Sequence, residues 1–218
     1  MSPGELEPED PWRALDRDEL AAAAPEAARR LLGCLLVRTE ADGSATVARI
    51  VETEAYHQDD PASHSHRGRT PRTAPMFADP GTAYVYRSYG VHWCLNVAVE
   101  PEGVGAAVLV RAAALLTGHA HVRPRRPAAR RDRDLLRGPG RLTAALDVDA
   151  RRHDGGDLLE EVAGLRLVED GWRPEPERIV TSPRVGVRLA ADLPWRFHLD
   201  DEPAVSLYRP HPRAERPS

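Results

Sequence analysis

The chain has 218 residues, 41% of them hydrophobic and 29% charged, with a formal net charge of −4. That length suits one well-cored domain rather than two, and no apolar run reaches the roughly 18 residues a membrane helix requires. All 30 basic residues are arginine, which excludes any mechanism that builds a Schiff base on a lysine side chain.

Residues 1–15 read as a loose acidic arm, without the basic and apolar regions of a secretory signal. Pro25 suits the first turn of a helix running through Glu26, Ala27, Ala28, Leu31 and Leu32, with Gly33 as its C′ residue. Cys34 to Glu40 and Ala45 to Tyr56 read as two strands joined by an Asp42-Gly43 hairpin turn. Along the second strand Val47, Arg49, Val51 and Thr53 fall on one face. Ala48, Ile50, Glu52 and Glu54 fall on the other, so the two glutamates point the same way. The only two cysteines, Cys34 and Cys94, lie among apolar neighbours and read as buried free thiols in a reducing, cytoplasmic setting.

His57 to Pro80 forms a polar loop of about two dozen residues, a length that in a compact domain signals function or disorder. Thr82 to Tyr86, Val91 to Val99 and Ala106 to Ala113 read as three further strands, with Tyr89-Gly90 at the tip between the first two. Leu115 to Leu136 is helical in composition but interrupted by Pro124 and Pro127, which predicts two short Arg-rich helices. Gly138-Pro139-Gly140 breaks the chain before a helix over Arg141 to Leu146. Residues 157–200 alternate short strands with turns, ending in Trp195 to Leu199. Residues 209–218 are rich in Pro and Arg and read as a disordered tail. One mixed domain over residues 16–208 is the simplest account.

Charge is unevenly spread. Residues 1–26 hold eight acids and two arginines, whereas residues 122–152 hold ten arginines and four aspartates. Such a local basic face suits phosphate binding, and a solvated helical face would look the same.

The stretch from Arg49 to Asn96 gathers Glu52, Glu54, His57, His64, His66 and four of the five tyrosines, although aromatics make up only 5% of the chain. Rings grouped beside carboxylates suit a flat ligand, most often a nucleobase. A carboxylate at a strand end can orient and deprotonate water. Glu54, beside Tyr56 and the loop, fits that role; Glu52 fits an ion pair with an arginine. Tyr84 and Tyr86 share a face, one suited to a pocket wall and one to core. Tyr89 reads either as a wedge for a base stack or as a ring folded back on its hairpin. His57, His64 and His66 with Asp59 and Asp60 offer a metal-site alternative, although no helical HxxxH or HExxH spacing is present.

At these residues the chain resembles the alkyladenine-type (3-methyladenine) DNA glycosylases. The matches are the run Arg49-Ile50-Val51-Glu52-Thr53-Glu54-Ala55-Tyr56, then His64-Ser65, Met76-Phe77, Pro80-Gly81-Thr82 and Tyr84-Val85-Tyr86. They continue through Tyr89-Gly90, Cys94-Leu95-Asn96, Val108-Leu109-Val110-Arg111, Gly138-Pro139 and Arg184-Val185-Gly186-Val187. The resemblance implies an α+β fold, one compact mixed domain with a curved antiparallel sheet flanked by helices. It implies a monofunctional enzyme that flips alkylated purines (3-methyladenine, 7-methylguanine, also hypoxanthine or etheno-adenine) out of duplex DNA and hydrolyses the N-glycosidic bond. Glu54 then matches the general base, and Arg111 an arginine that helps hold the water and the DNA backbone. Tyr56, His64 and Tyr86 match the stacking walls, Asn96 the residue that rejects normal guanine, and Tyr89 the intercalating tip. Arg141 is the candidate for a further DNA-backbone contact. The expected partner is double-stranded DNA containing damaged purines, met by a monomer with no cofactor, metal or membrane. The alternatives are a non-catalytic damage-binding module with the same pocket, and a metal-dependent hydrolase using the His57/His64/His66 loop.

Overall fold

Turn chemistry and alternation build one antiparallel sheet in the computed structural model of the chain, which describes residues 12–214. The elements are β1 (Arg13–Ala14), α1 (Arg17–Leu20), α2 (Ala24–Arg30), β2 (Leu35–Thr39), β3 (Ala45–His57), β4 (Ala83–Ser88) and β5 (His92–Ala98). They continue with β6 (Ala106–Leu115), α3 (His119–Arg125), α4 (Pro139–Ala145), α5 (Ala150–His153), β7 (Leu165–Glu169), β8 (Ile179–Ser182) and β9 (Arg196–Leu199). Strands run in the order β1-β7-β2-β3-β6-β5-β4, and β9, carrying β8, pairs with β3 off this path. The α+β class follows, with every strand pair antiparallel.

α2 begins at Ala23, whose side chain cannot cap. Glu100 supplies the cap from afar, its carboxylate accepting the Ala24 N–H at 2.8 Å, so an orphan helix donor is satisfied across the core. Leu31, Leu32, Ile50, Leu95, Val108, Leu136 and Leu142 are buried in the main core, as is Ala24. Each such side chain contributes about 1.5–3 kcal/mol on leaving water. Cys34 and Cys94 are both free and buried.

Strict alternation along β3 fails at one point. Val47 packs with Leu35, Val37 and Val168, whereas Val51 joins Ile50 in the main core. The cause is a register shift opposite β6: Ile50 pairs with Ala113, Glu52 with Ala112 and Thr53 with Val110. Val51 and Arg111 thereby drop out of that ladder, and irregularities of this kind re-aim side chains. Beyond it the Thr53 hydroxyl donates to the Ala28 carbonyl of α2 at 2.9 Å. Glu52 and Glu54 turn to the opposite face, as alternation requires.

The expectation of two Arg-rich helices between Leu115 and Leu136 is corrected. Leu115 extends β6, paired with Ala48, and only α3 forms, followed by a single 3₁₀ turn at Asp132–Asp134. Pro124 is accommodated within the single short α3, and Pro127, with no N–H to donate, lies just past its end, where the helix does not continue. Much of the positive charge here is answered locally. Arg125 pairs with Glu40, Arg123 with Asp132, Arg137 with Asp134, and Arg152 with Asp147 and Asp149.

The N-terminal arm lies mostly outside the described residues, but Arg13–Ala14 is tied to β7. There Glu169 accepts from Arg13, Arg30 and Arg173. Burial alone would raise its pKa; hydrogen bonds from Arg30, Arg173 and Arg13 outweigh that and hold it at about 2, against an ordinary 4.5. A depressed carboxylate contributes stability that is complete above its ordinary pKa and is lost as pH falls through the folded value. The urea midpoint is therefore expected to drop between pH 4.5 and about 2. Glu169→Gln should flatten that part of the curve; an unchanged slope would remove Glu169 from the acid transition.

Candidate active site

The face of β3 that carries Glu54 forms one wall of a cavity of about 570 Å³, within the range of small-ligand sites. Glu54, Tyr56, His64, Tyr86, Asn96 and Arg111 all line it, and Tyr89 stands at its rim. Residues from β3, the long loop, β4, β5 and β6 thus meet in one place.

Glu54 is fully buried and is held by three donors. The Val185 N–H reaches Oε1 at 2.6 Å, the Tyr56 hydroxyl reaches Oε2 at 2.9 Å, and Arg111 Nη1 reaches Oε2 at 3.3 Å. An ionised carboxylate offers about four lone-pair positions, and these donors take three of them. Glu52 is the ion-pair partner it was expected to be. It accepts from Arg111 Nε at 2.8 Å, Arg196 Nε at 2.7 Å, and the Ser206 N–H and hydroxyl at 2.7 and 2.8 Å. Burial would raise the Glu52 pKa, but Arg111 and Arg196 overcome it and hold the carboxyl below its ordinary value. Burial would likewise lower the pKa of Arg111, and Glu54 and Glu52 outweigh that to raise it.

The ring walls are set by the loop and β4. Ser65 is pinned by its hydroxyl to the Gly105 carbonyl at 2.7 Å. A Cβ on Gly105 would lie 2.5 Å from the Phe77 ring and 2.8 Å from Ser65, so glycine is needed for the loop to seat on β6. This places His64 with its ring 4.5 Å from that of Tyr86, edge-on, and its Nδ1 2.9 Å from the Tyr84 hydroxyl. Burial, reinforced by the charge of Arg72, pushes the His64 pKa down. Tyr84 and Tyr86 stack at 5.4 Å, and both line the cavity; Tyr84 also packs with Met76, Phe77 and Ala107. Burial first, then the charge of Glu54, keeps the Tyr56 phenol protonated. Asn96, paired with Tyr84 across β4 and β5, donates Nδ2 to the Tyr84 carbonyl at 2.9 Å.

Tyr89 occupies the β4–β5 tip with φ of 49° and is 89% exposed. The ring stands out rather than folding back on its hairpin. Pro139 of α4 also lines the cavity. Two residues on, Arg141 is exposed in a shallow depression shared with Arg126, Arg130 and Arg131.

The metal-site alternative loses its ligands. His57 faces Glu100 and Asp59, His66 meets the Gln58 carbonyl, and His64 meets Tyr84. Among the described residues no three His, Cys, Asp or Glu side chains converge to hold a metal.

Sequence reasoning missed Ser206, Arg196, Arg72 and the Val185 amide. It singled out the Arg184 to Val187 motif without a role. It also read residues 209–218 as disordered. Residues 215–218 lie outside the described chain, but the Arg209 carbonyl accepts the Gly186 N–H at 3.0 Å and His211 lines the cavity. Prolines flanking His211 fix backbone φ, so a Pro-rich composition is compatible with docking.

Residues 18–203 match the family model described as methylpurine-DNA glycosylase. A protein of Burkholderia lata named "Putative 3-methyladenine DNA glycosylase" is 44% identical over 207 residues, covering 94% of this chain and 97% of its own. Proteins of the same name from Nocardia farcinica and Rhodococcus jostii are 48% and 46% identical, each over 90% of this chain and over 92% and 87% of their own.

Proposed function

From the premise that the chain belongs to the methylpurine-DNA glycosylase family and is a DNA glycosylase, we propose that it flips alkylated purines out of duplex DNA and hydrolyses their N-glycosidic bond without lyase chemistry. The observation that carries this reading is Glu54: a carboxylate fixed by three donors in the wall of a cavity lined by converging rings. The damaged base stacks among Tyr56, His64 and Tyr86. Glu54 takes a proton from water as its oxygen bonds to the anomeric carbon, while the glycosidic electron pair leaves with the base. An N3- or N7-alkylated purine is cationic and leaves neutral, so water needs little further activation. Electron-rich tyrosine faces favour that cation.

Tyr89 fills the gap left by the extruded base, which offsets part of a flipping cost of a few kcal/mol. Asn96 excludes the exocyclic amine of normal guanine, and Arg111 and Arg141 hold the backbone. Duplex DNA with damaged purines is the partner. The enzyme acts as a monomer in the cytoplasm, since one flipped base needs one pocket. No helix among the described residues is long and apolar enough to cross a membrane.

The test is base release from duplexes carrying 3-methyladenine, 7-methylguanine or hypoxanthine, each scored separately. Release of the two methylated bases is expected; release of neither sinks the reading. In the same assay Tyr89→Ala should weaken capture of duplex lesions by about tenfold, given a wedge of a few kcal/mol only partly offset elsewhere. Unchanged capture would leave the tip without a role.

A further inference from the structure

The largest fully buried side chain among the described residues is a charged one, Arg184. Its Nη1 donates to the carboxylate of Asp60, which is equally enclosed, and to the Ala55 carbonyl at 3.1 Å. Nη2 reaches the Ala190 carbonyl at 3.4 Å, and Nε has no partner. The guanidinium carbon sits 4.6 Å over the Tyr56 ring and 5.6 Å from that of Trp195. On the other side of the same residue, the Ala55 N–H donates to the Trp195 carbonyl at 2.8 Å. The residue after Arg184 is Val185, whose amide holds Glu54.

Stability does not account for this arrangement. Removing two charges from water is costly, and apolar side chains of the same volume often serve a core as well or better. An orphaned buried Nε adds to that cost. What an apolar pair lacks is a planar fork that meets a carboxylate and a carbonyl in fixed directions. Here the fork grips the residue between Glu54 and Tyr56 and, through its own backbone, the amide that aims Glu54.

We infer that the Arg184–Asp60 pair is a positioning device for base release, holding the Glu54 carboxylate and the Tyr56 wall in fixed relation. The inference rests on Glu54 being the general base. Misplacement by about 1 Å costs on the order of 100-fold in rate.

The test is single-turnover base release from 7-methylguanine duplex by the full chain. R184M/D60N removes both charges together, so neither is left unpaired. Asp60→Asn alone keeps the Oδ1 acceptor that serves the Ala62 N–H at 3.0 Å. Both variants are expected to release base about 10–100-fold more slowly, with lesion-DNA affinity changed by less than about threefold. In a Glu54→Gln background the double change should slow the residual rate no further, because coupled groups are non-additive. A wild-type rate overturns the inference. So does a slowing that persists undiminished without Glu54, one matched by an equal loss of affinity, or failure of both variants to fold. If wild-type protein releases no base, or Glu54→Gln is fully active, the underlying reading falls instead.

Discussion

Glu54→Gln is expected to slow base release by about 10²–10⁴-fold, the usual contribution of a general base, while lesion binding stays within a few-fold of wild type. The two halves of this expectation have separate causes. Glutamine keeps the length of the side chain and an oxygen for the Val185 amide. Its NH₂ cannot take a proton from water, and it presents a donor where Tyr56 and Arg111 also donate. The stacking surfaces of Tyr56, His64 and Tyr86 are not altered. Single-turnover release and equilibrium binding to lesion DNA separate the effects. Wild-type release by the variant would remove Glu54 from the chemistry; weak binding with normal chemistry would make it a binding residue.

Arg111→Met is expected to lower stability by about 3–5 kcal/mol, the usual result of removing one member of a buried charge group. For a chain of this size that is a fall in Tm of about 6–20 °C. The cause is what remains. Glu52 and Glu54 are both fully buried, and Arg111 spans them from a strand position freed of ladder pairing. Arg196 still answers Glu52, but no other arginine meets the Glu54 carboxylate among the described ion pairs. Arg111→Lys should recover only part of the loss, because a point charge cannot serve Glu52, Glu54 and Ser206 together as the fork does. Thermal unfolding measures both variants. A fall of less than about 2 °C for the methionine variant would show that the carboxylates do not depend on this arginine.

Glu52→Gln would touch the same network from the other end. Its four contacts come from Arg111, Arg196 and Ser206, and of these three only Arg111 lines the cavity. Glu54 shares the strand, the face and the burial of Glu52 but lines the pocket. On the proposed reading, the division between a structural and a chemical carboxylate is a matter of which neighbours the fold brings, two residues apart.

Short-range features of this chain are legible from its residues alone. The hairpin at Asp42-Gly43, the exposed tip at Tyr89-Gly90 and the common direction of Glu52 and Glu54 each depend on a few adjacent residues, whose turn chemistry and two-residue period act within that span. The run from Arg49 to Tyr56 carried the family, and with it the six side chains that meet in the cavity. Tertiary structure alone decided the rest. Val185 reaches Glu54 across 131 residues, and Ser206 reaches Glu52 across 154. β9 docks beside Glu52, Thr53 and Glu54. The register shift at Val51 and Arg111 arises only once β3 and β6 are paired. Such contacts leave no periodic trace along the chain, because a buried charge selects its partners by where the folded backbone delivers them, not by their distance in sequence.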